Sequence, residues 1–321
     1  MMQLIDTFRT LSQTIMSWPG VKSEILGPDI LLINPDSSQG QKKKKTQAIR
    51  DIDLCLLAGV HGNEVGGVHV LIETLDSILK SGPPDISICF ALGNPEALKA
   101  NKRFIGQDLN RSFGRQSLSG PVDRRARLLE TIFLRSHFLL DLHQTQEASE
   151  TAFFISRFHE ESFKVSRIFF PEIPFVTYKS STLSLTGMTT LNFHLSRGGM
   201  GLALELGEKG LDPDQIQLGI HVVSEIIKYL RHSEVTWHTR FPDVHLDNNY
   251  TFSESLITES GSYELCKNFS NFAKIKKNEK IARIDEKDFY AHSDSLVLFP
   301  KRALRAPPGS EVIRLLKPLD F

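Results

Sequence analysis

The sequence predicts an α/β fold, and two observations support this prediction. Between Ile52 and about Tyr229, short apolar runs alternate with stretches of helical pattern. The apolar runs are continuous, which is typical of strands in a sheet that is covered on both faces. After about Val235 the segments become shorter and turn residues separate them. This change predicts a main domain of residues 1–235 and a small β-rich domain of residues 236–321.

Buried strands and the helices between them carry the α/β prediction. The predicted strands are Leu54–Val60, Ile86–Leu92, Phe138–Leu142 and Gly201–Leu206, and the predicted helices are Val65–Lys80 and Pro213–Tyr229. Residues 1–20 have charged side chains at Asp6 and Arg9 and no continuous apolar core. They predict an amphipathic helix rather than a signal peptide.

The composition is that of an ordinary globular protein. Of 321 residues, 40% are hydrophobic and 24% charged, and 38 basic residues balance 38 acidic ones. Nothing in this balance indicates nucleic acid or an anionic membrane as a partner. No segment approaches the roughly 20 apolar residues that a membrane span needs. We therefore expect a cytoplasmic protein with a small-molecule substrate.

Two further features have simple interpretations. Cys55 and Cys89 lie in apolar runs, which predicts that they are buried small hydrophobes. With Cys266 they make an odd, low count without short-range pairing, which favours a reducing compartment. The segment Ser37–Gln47 contains four consecutive lysines. Such a run is typical of a solvated loop, with phosphate contact as the alternative.

A glycine-rich segment, GVHGNEVGG, occupies residues 59–67 at the end of the first predicted strand. Ligands in open α/β sheets bind where strands end and helices begin. His61 and Glu64 stand three residues apart, so both side chains can reach one ion from a single tight turn. The glycines allow that turn conformations that other residues disfavour. The same spacing also occurs on helix surfaces and at caps, so this pair alone leaves a metal site open.

Asp141 and His143 lie at the end of another buried apolar run. A lone histidine there is more often a packed or capping residue, but with His61 and Glu64 it completes a set of two imidazoles and one carboxylate. Three protein ligands with an open position are typical of catalytic zinc sites. Such an ion polarises a carbonyl and makes a water more acidic. Asp141 is interpreted as an acceptor that orients a ligand, with a cap of the strand end as the alternative.

A cluster of cations follows the second strand. Arg103, Asn110 and Arg111 lie in one nine-residue stretch, which belongs to a glycine-containing loop. Arginine pairs bidentately with carboxylates and stays charged. The cluster predicts an anion site, with surface arginines in a helix-rich loop as the alternative.

Glu205 lies inside the apolar run LALELG. A buried carboxylate is costly unless it is paired or lies near a metal. Burial also raises its pKa, which suits a general base that takes a proton from water and returns it to a leaving nitrogen. Glu208 follows Gly207 and is predicted to be an exposed loop acid.

Four motifs occur in the order HGNE, GNPEAL…KRF…DLNRSFG, DLH and LELG. In this order the sequence resembles the succinylglutamate desuccinylase/aspartoacylase family, relatives of the zinc carboxypeptidases. The resemblance covers about residues 52–215 and extends to LVLFP at residues 296–300. It implies a mixed, mostly parallel sheet sandwiched by helices, with a small β-rich C-terminal domain. This agrees with the prediction from hydrophobic patterning.

The resemblance also implies roles for the candidate residues. The three predicted ligands would bind zinc, one ion per subunit. Arg103 would stabilise the oxyanion that forms when water adds to an amide carbonyl, a task that usually contributes a few kcal/mol. Asn110 and Arg111 would bind a carboxylate of the substrate, and Glu205 would be the general base and acid.

The sequence departs from the family at one substrate contact. The family usually has a substrate-binding arginine ten residues before the catalytic glutamate, and here that position is Leu195. Arg197 is the candidate to take over this contact through a changed loop, and the alternative is that the contact is missing. Tyr290 is the candidate for a family tyrosine that reaches the substrate. The departure leaves the acyl group open between succinyl, acetyl and a larger group.

The leading prediction is a zinc-dependent amidohydrolase that acts on an N-acyl amino acid resembling N-succinylglutamate or N-acetylaspartate. A first alternative is a metallocarboxypeptidase-like enzyme that trims a peptide or a cell-wall fragment. A second is a binding or scaffold protein without turnover. Histidine and glutamate ligands accept several divalent ions, so the metal is open as well. The oligomeric state is also open, with a homo-oligomer among the alternatives.

Overall fold

A computed structural model describes residues 1–19, 21–35, 50–115, 119–178, 187–231, 248–302 and 305–320. Both the lysine-rich segment and the predicted domain boundary after residue 235 lie outside these residues and stay predictions. The helices are α1 Met2–Met16, α2 Gly66–Ser81, α3 Pro95–Lys99, α4 Pro121–Arg135, α5 Glu160–Phe169, α6 Thr190–Ser196 and α7 Pro213–Arg231. The strands are β1 Lys22–Gly27, β2 Ile30–Asn34, β3 Ile52–Ala58, β4 Ile88–Leu92, β5 Ser136–Thr145, β6 Phe153–Arg157, β7 Phe175–Tyr178, β8 Met200–Glu208, β9 Asn249–Thr258, β10 Tyr263–Leu265, β11 Lys274–Ile275, β12 Lys280–Ile284, β13 Lys287–Tyr290, β14 Ser295–Leu298 and β15 Ser310–Pro318.

Twelve of these strands form one mixed sheet in the order β1-β2-β4-β3-β5-β8-β6-β7-β9-β15-β14-β11. The central strands β4, β3, β5 and β8 are parallel, so their carboxyl ends meet at one edge. β6 runs antiparallel to β8, and β7 and β9 then follow β6 in parallel. The predicted α/β class with a mixed sheet is confirmed.

Helices cover both faces of the central sheet because its strands are apolar on both sides. Leu54 and Leu56 of β3 belong to a core cluster that includes residues of α1, α2 and α7. Cys55 and Leu57 face the opposite cluster, which includes residues of α4 and α6. Cys89 is the partner of Cys55 in the register of β3 and β4, and both side chains are fully buried, as expected of small hydrophobes.

The C-terminal part is β-rich, as predicted. β9, β15, β14 and β11 continue the main sheet, whereas β10, β12 and β13 form a separate three-stranded sheet. Their own apolar cluster includes Leu256, Ile281 and Val312. In the described part of the chain, none of the helices has the length and apolar character that crossing a membrane would require.

Candidate active site

The HGNE segment forms a tight turn between β3 and α2. Gly59 adopts a φ of +67°, a conformation that glycine accepts most easily. A Cβ on Gly62 would lie 2.0 Å from the carbonyl carbon of Ala97, so no larger residue fits there. The turn therefore depends on glycine at two points, one for backbone conformation and one for close packing. It directs His61 and Glu64 to the carboxyl edge of the sheet.

His61, Glu64 and His143 come together as predicted, although they belong to two segments of the chain. One ligand atom from each lies within 4.8 Å of the other two, and all three residues are buried. The two Glu64 oxygens face different histidines: Oε1 is 2.8 Å from His61 Nδ1 and Oε2 is 2.9 Å from His143 Nδ1. The parallel pairing of β3 with β5 explains this meeting, because Ala58 is the register partner of Leu142.

Each of these histidines has a second carboxylate behind it. His143 Nε2 lies 3.0 Å from Asp141 Oδ2, and His61 Nε2 lies 3.3 Å from Asp108 Oδ1. The Thr190 hydroxyl donates a hydrogen bond to Asp141 and holds it in place. The contact with His143 fits the first of the two interpretations of Asp141, an acceptor that orients His143. The role of Asp108 has no counterpart in the sequence prediction.

The charges of this cluster attract one another strongly. Burial opposes ionisation of Glu64, but the two histidines outweigh it and hold the pKa of Glu64 well below its usual range. Burial likewise opposes the charged form of His143, yet Asp141 and Glu64 raise its pKa well above the usual value. Burial raises the pKa of Asp108 as well, but His61 more than compensates and lowers it to about 2. The carboxylates of Glu64, Asp108 and Asp141 thus stabilise positive charge between and on the two histidines.

The residues fit a divalent ion. Neither nitrogen of His61 forms a hydrogen bond within the described residues, although both are buried and lie near carboxylate oxygens. Zinc bonds to nitrogen and oxygen are about 2.0–2.2 Å long, so the donors of one ion lie within about 4 Å of each other. The observed spacing reaches this geometry with a small side-chain movement. Carboxylates behind the histidines are the usual outer contacts of a metal site.

Glu205 lies beside this cluster on β8. It is the register partner of His143, and its Oε2 is buried without a hydrogen-bond partner in the described residues. Burial raises the pKa of Glu205 to about 7, with Glu64 adding to the effect and the charges of His143 and Arg103 opposing it. A carboxyl group with this pKa exchanges protons readily near neutral pH. Glu208, three residues on, is exposed as predicted, but it is the last residue of β8 rather than a loop residue.

The predicted anion cluster lies at the rim of the site. Arg103 donates a hydrogen bond from Nη1 to Glu64 Oε1 at 2.7 Å, so its charge lies next to the metal-ligand candidates. Asn110 Oδ1 accepts hydrogen bonds from the backbone nitrogen and the hydroxyl of Thr190, at 3.0 and 3.3 Å. Arg111 is exposed and donates to the carbonyl of Asn110. All three residues line the cavity that also contains the metal ligands.

Gln144 is a positioning residue that the sequence prediction missed. Its Oε1 accepts a hydrogen bond from the backbone nitrogen of Gly66 at 2.8 Å, and its Nε2 donates to the carbonyls of Glu208 and Gly210. Its own backbone nitrogen donates to Glu64 Oε2 at 3.2 Å. Through its side chain and its backbone together, Gln144 therefore connects the start of α2, the Glu64 carboxylate and the end of β8. A glutamine following His143 gave no sequence signal beyond its position.

Arg197 and Tyr290 do not line the cavity. The guanidinium carbon of Arg197 lies 5.4 Å from the ring centroid of Phe193, on the exposed end of α6. Tyr290 is 49% exposed on β13, in the separate three-stranded sheet. Leu195 packs against the core cluster of α4 and α6. The predicted substrate contacts of Arg197 and Tyr290 therefore stay predictions without geometric support.

The cavity has a volume of about 1040 Å³ and extends well beyond the metal ligands. Its wall away from Glu205 contains Arg157, Tyr178, Phe252 and Arg314, none of which the sequence prediction singled out. They come from different strands of the sheet, and no local motif connects them. Only the pairing of those strands brings them into one wall.

Curated relatives share parts of this chain. A succinylglutamate desuccinylase from Pseudomonas fluorescens is 40% identical over 100 residues, which is 30% of this chain and 30% of that relative. A probable aspartoacylase from Prochlorococcus marinus is 41% identical over 69 residues, 22% of this chain and 23% of that relative. The chain thus aligns with about a third or less of the length of these relatives.

Solved structures share the fold over nearly the whole chain. The succinylglutamate desuccinylase from Chromobacterium violaceum superposes with a TM-score of 0.69 at 19% identity, covering 98% of each chain. The enzyme of that name from Vibrio cholerae gives 0.69 at 18% identity, covering 93% of this chain and 88% of that one. Murine aminoacylase 3 gives 0.60 at 19% identity, covering 84% and 98%.

The sequence model of the succinylglutamate desuccinylase/aspartoacylase catalytic domain matches residues 50–230, which is more than half of the chain. The matched range contains each metal-ligand candidate, the loop with Arg103 and Arg111, and Glu205. This chain belongs to the succinylglutamate desuccinylase/aspartoacylase family.

Proposed function

We propose that this protein is a zinc-dependent amidohydrolase that cleaves the amide bond of an N-acyl amino acid. One observation carries the proposal: the ligand atoms of His61, Glu64 and His143 converge within 4.8 Å beside the buried, unpaired Oε2 of Glu205. A metal site that serves only structure has no use for such a carboxylate. The arrangement supports hydrolysis over a scaffold role.

The chain's own residues divide the work of hydrolysis. A zinc ion held by His61, Glu64 and His143 would polarise the scissile carbonyl and make a water more acidic. Glu205 takes the proton of the attacking water and returns it to the leaving nitrogen, because it lies beside His143 and burial brings its pKa close to neutrality. Arg103 supplies positive charge to the developing oxyanion from its position next to Glu64.

Asn110 and Arg111 bind a carboxylate of the substrate at the rim. Arg111 has no carboxylate partner within the described residues, so its charge is available to a ligand. Thr190 holds the Asn110 side chain in place, because its backbone nitrogen and its hydroxyl both donate hydrogen bonds to Asn110 Oδ1. These contacts orient the amino-acid half of the substrate.

The names of the relatives support N-succinylglutamate as the first substrate to test and N-acetylaspartate as the second. The size of the cavity supports a second candidate function. Its volume of about 1040 Å³ lies at the upper end of the range of roughly 300–1,000 Å³ for small-molecule sites, so a peptide or a cell-wall fragment also has room. A metallocarboxypeptidase-like enzyme would use Arg111 to bind a C-terminal carboxylate.

The test is a metal measurement combined with an activity screen. We expect the purified chain to contain one zinc ion, to lose hydrolysis of N-acyl amino acids on chelation, and to regain it when zinc is added. His61→Ala should abolish metal binding, measured by mass spectrometry of the native protein. His221→Ala on the exposed face of α7 is the matched control and should bind zinc normally.

Protein without bound metal, and without activity after zinc addition, would overturn the proposal. The screen compares N-succinylglutamate, N-acetylaspartate and short peptides under the same conditions. Hydrolysis of the peptides alone would favour the metallocarboxypeptidase-like alternative.

A further inference from the structure

Thr190 contacts two parts of the site that the proposed function treats separately. It is the first residue of α6, and only 1% of it is exposed. Its hydroxyl donates a hydrogen bond to Asp141 Oδ2, the oxygen that also lies 3.0 Å from His143 Nε2. The same hydroxyl lies 3.3 Å from Asn110 Oδ1. One buried side chain therefore contacts both the carboxylate behind a metal-ligand candidate and the amide assigned to the substrate.

The hydroxyl of Thr190 carries a single hydrogen, which these two oxygens share. Asp141 is the stronger acceptor of the two because it is charged. The other oxygen of Asp141, Oδ1, is buried without a hydrogen-bond partner in the described residues. The position of the Asp141 side chain therefore depends on the contacts of Oδ2, and Thr190 holds that oxygen where it meets His143.

Thr190 also sets the orientation of the Asn110 amide. Its backbone nitrogen donates a hydrogen bond to Asn110 Oδ1 at 3.0 Å. An asparagine amide accepts at Oδ1 and donates at Nδ2. Because Thr190 engages the accepting atom, the donating group remains for a ligand in the cavity that Asn110 lines. A carboxylate needs a donor, so this orientation suits the proposed role of Asn110.

The fold holds Thr190 in place from both ends of α6. Just before the helix, Met188 exchanges backbone hydrogen bonds with Phe113, which follows the loop that carries Asn110. Near the other end of the helix, the His194 ring is fully buried. Its two nitrogens lie 3.0 and 3.1 Å from backbone carbonyls on α4 and β8. The contacts of Thr190 with Asp141 and Asn110 therefore start from a fixed point.

We propose that Thr190 is a positioning residue shared by the metal site and the substrate-carboxylate site, so that loss of its hydroxyl weakens zinc binding and substrate binding together. This inference rests on the proposed function and adds a residue on which both halves of the site depend. Without the hydroxyl, the Asp141 side chain is free to turn away from His143. Asn110 keeps the backbone hydrogen bond of residue 190 and loses only the shared one, so its effect is the smaller of the two.

The first experiment measures zinc affinity by competition with a fluorescent chelator. Thr190→Val keeps the shape of the side chain but removes the hydroxyl, and we expect affinity to fall about tenfold, the lower end of the usual effect of such outer contacts. Thr190→Ser restores the hydroxyl and should stay within about twofold of the unmodified chain. The matched control is Thr74→Val, which removes a buried hydroxyl that donates to the Val70 carbonyl within α2. It should leave zinc affinity unchanged.

A double-mutant cycle separates positioning from a general loosening of α6. If Thr190 acts on zinc through Asp141, then Thr190→Val should add at most about a twofold loss once Asp141→Asn is present. If Thr190 only stabilises the helix, the two losses should multiply. Thr190→Ala enters the same cycle if the valine variant does not fold.

The second experiment measures ligand affinity by calorimetry with the zinc-saturated Glu205→Gln variant, in which turnover is suppressed. The probes are N-succinylglutamate, N-acetylaspartate and glycylglycine. Thr190→Val should weaken binding of the best probe about threefold to tenfold, the range of one hydrogen bond. Thr190→Ser should bind it normally. In an Asn110→Ala background, Thr190→Val should cause no further loss, because the amide through which it acts is gone.

Unchanged zinc affinity in Thr190→Val, or losses that multiply in either cycle, would overturn the inference. So would a variant that loses zinc affinity but binds the probe normally, because the role would then not be shared. Turnover of the probes by the zinc-loaded unmodified chain is measured separately. If no probe is bound or hydrolysed, the proposed function fails and the shared role with it, whereas normal turnover with unchanged zinc affinity in Thr190→Val overturns the inference alone.

Discussion

The two ends of the active-site cavity differ in how their charges are compensated. At the metal end, His61 and His143 each lie between Glu64 and a further carboxylate, and all of these groups are buried or partly buried. At the opposite end, Arg111 and Arg157 are exposed and lack carboxylate partners among the described residues, while Arg314 is paired with Glu311. The charges of the metal-ligand candidates are compensated within the protein, whereas the charges of Arg111 and Arg157 are left to solvent or to a ligand.

This difference has a physical reason. Buried charges without partners are costly, so a permanent metal site needs its neutralising groups in the fold itself. An arginine that is paired in the free protein would have to give up that partner when a substrate binds. Unpaired, solvated arginines avoid this cost. Mutations should therefore affect chemistry and metal binding at one end and substrate affinity at the other.

The largest effect is expected for Glu205→Gln. Removing the proton acceptor should lower kcat by about 10²–10⁴-fold, the usual contribution of general acid–base catalysis. Zinc content should stay at the unmodified level, because Glu205 is not among the three converging ligands. Steady-state kinetics and metal analysis of the same preparation check both parts. A variant that keeps its kcat would remove Glu205 from the mechanism, and one that loses zinc would make it part of the metal site.

A smaller effect is expected when a carboxylate behind a metal ligand loses its charge. Asp141→Asn keeps the size of the side chain but weakens its hold on His143 Nε2, now 3.0 Å away. We expect zinc affinity to fall about 10–100-fold, the usual result at such positions. Competition with a fluorescent chelator measures it.

Asp214→Asn, an exposed position in the first turn of α7, is the matched control and should leave zinc affinity unchanged. Equal affinities in Asp141→Asn and the unmodified chain would contradict the view that the metal end is organised by its buried carboxylates.

The smallest effect is expected at Gln144, whose side chain supports the metal end indirectly, through the backbone of Gly66. Gln144→Leu leaves the nitrogen of Gly66 and the carbonyl of Gly210 without their partner, whereas the carbonyl of Glu208 keeps Gln215 Nε2 at 3.2 Å. Unfolding by urea should show a loss of about 2 kcal/mol, the cost of unsatisfied buried polar groups. Since the turn after β3 also loosens, zinc affinity should fall a few-fold, which a role in stability alone would not produce.

Gln217→Leu on the exposed side of α7 is the control for this change and should alter neither quantity. A Gln144→Leu protein with normal stability and zinc affinity would mean that other contacts position Glu64.

Much of the central sheet could be predicted because its strands are apolar on both faces. The predicted strand Phe138–Leu142 lies within β5, and the predicted helix Pro213–Tyr229 lies within α7. β6 and β7 were missed, because they are short and mix polar with apolar residues. Those are the strands that carry Arg157 and Tyr178. Two of the missed cavity residues, Arg157 and Tyr178, therefore lie on strands that were missed as well.

The sequence by itself determined the α/β class, the metal-ligand candidates and Glu205, because strand ends, glycine positions and a carboxylate in an apolar run are local properties of the chain. Only the tertiary structure decided which distant residues share the cavity. Asp108 reaches His61 from the loop after β4, and the order of the strands brings Arg157 and Arg314 into one cavity wall. Tyr290 lies on a separate sheet for the same reason. Pairing between strands far apart in the chain leaves no local pattern, so these placements had to be observed.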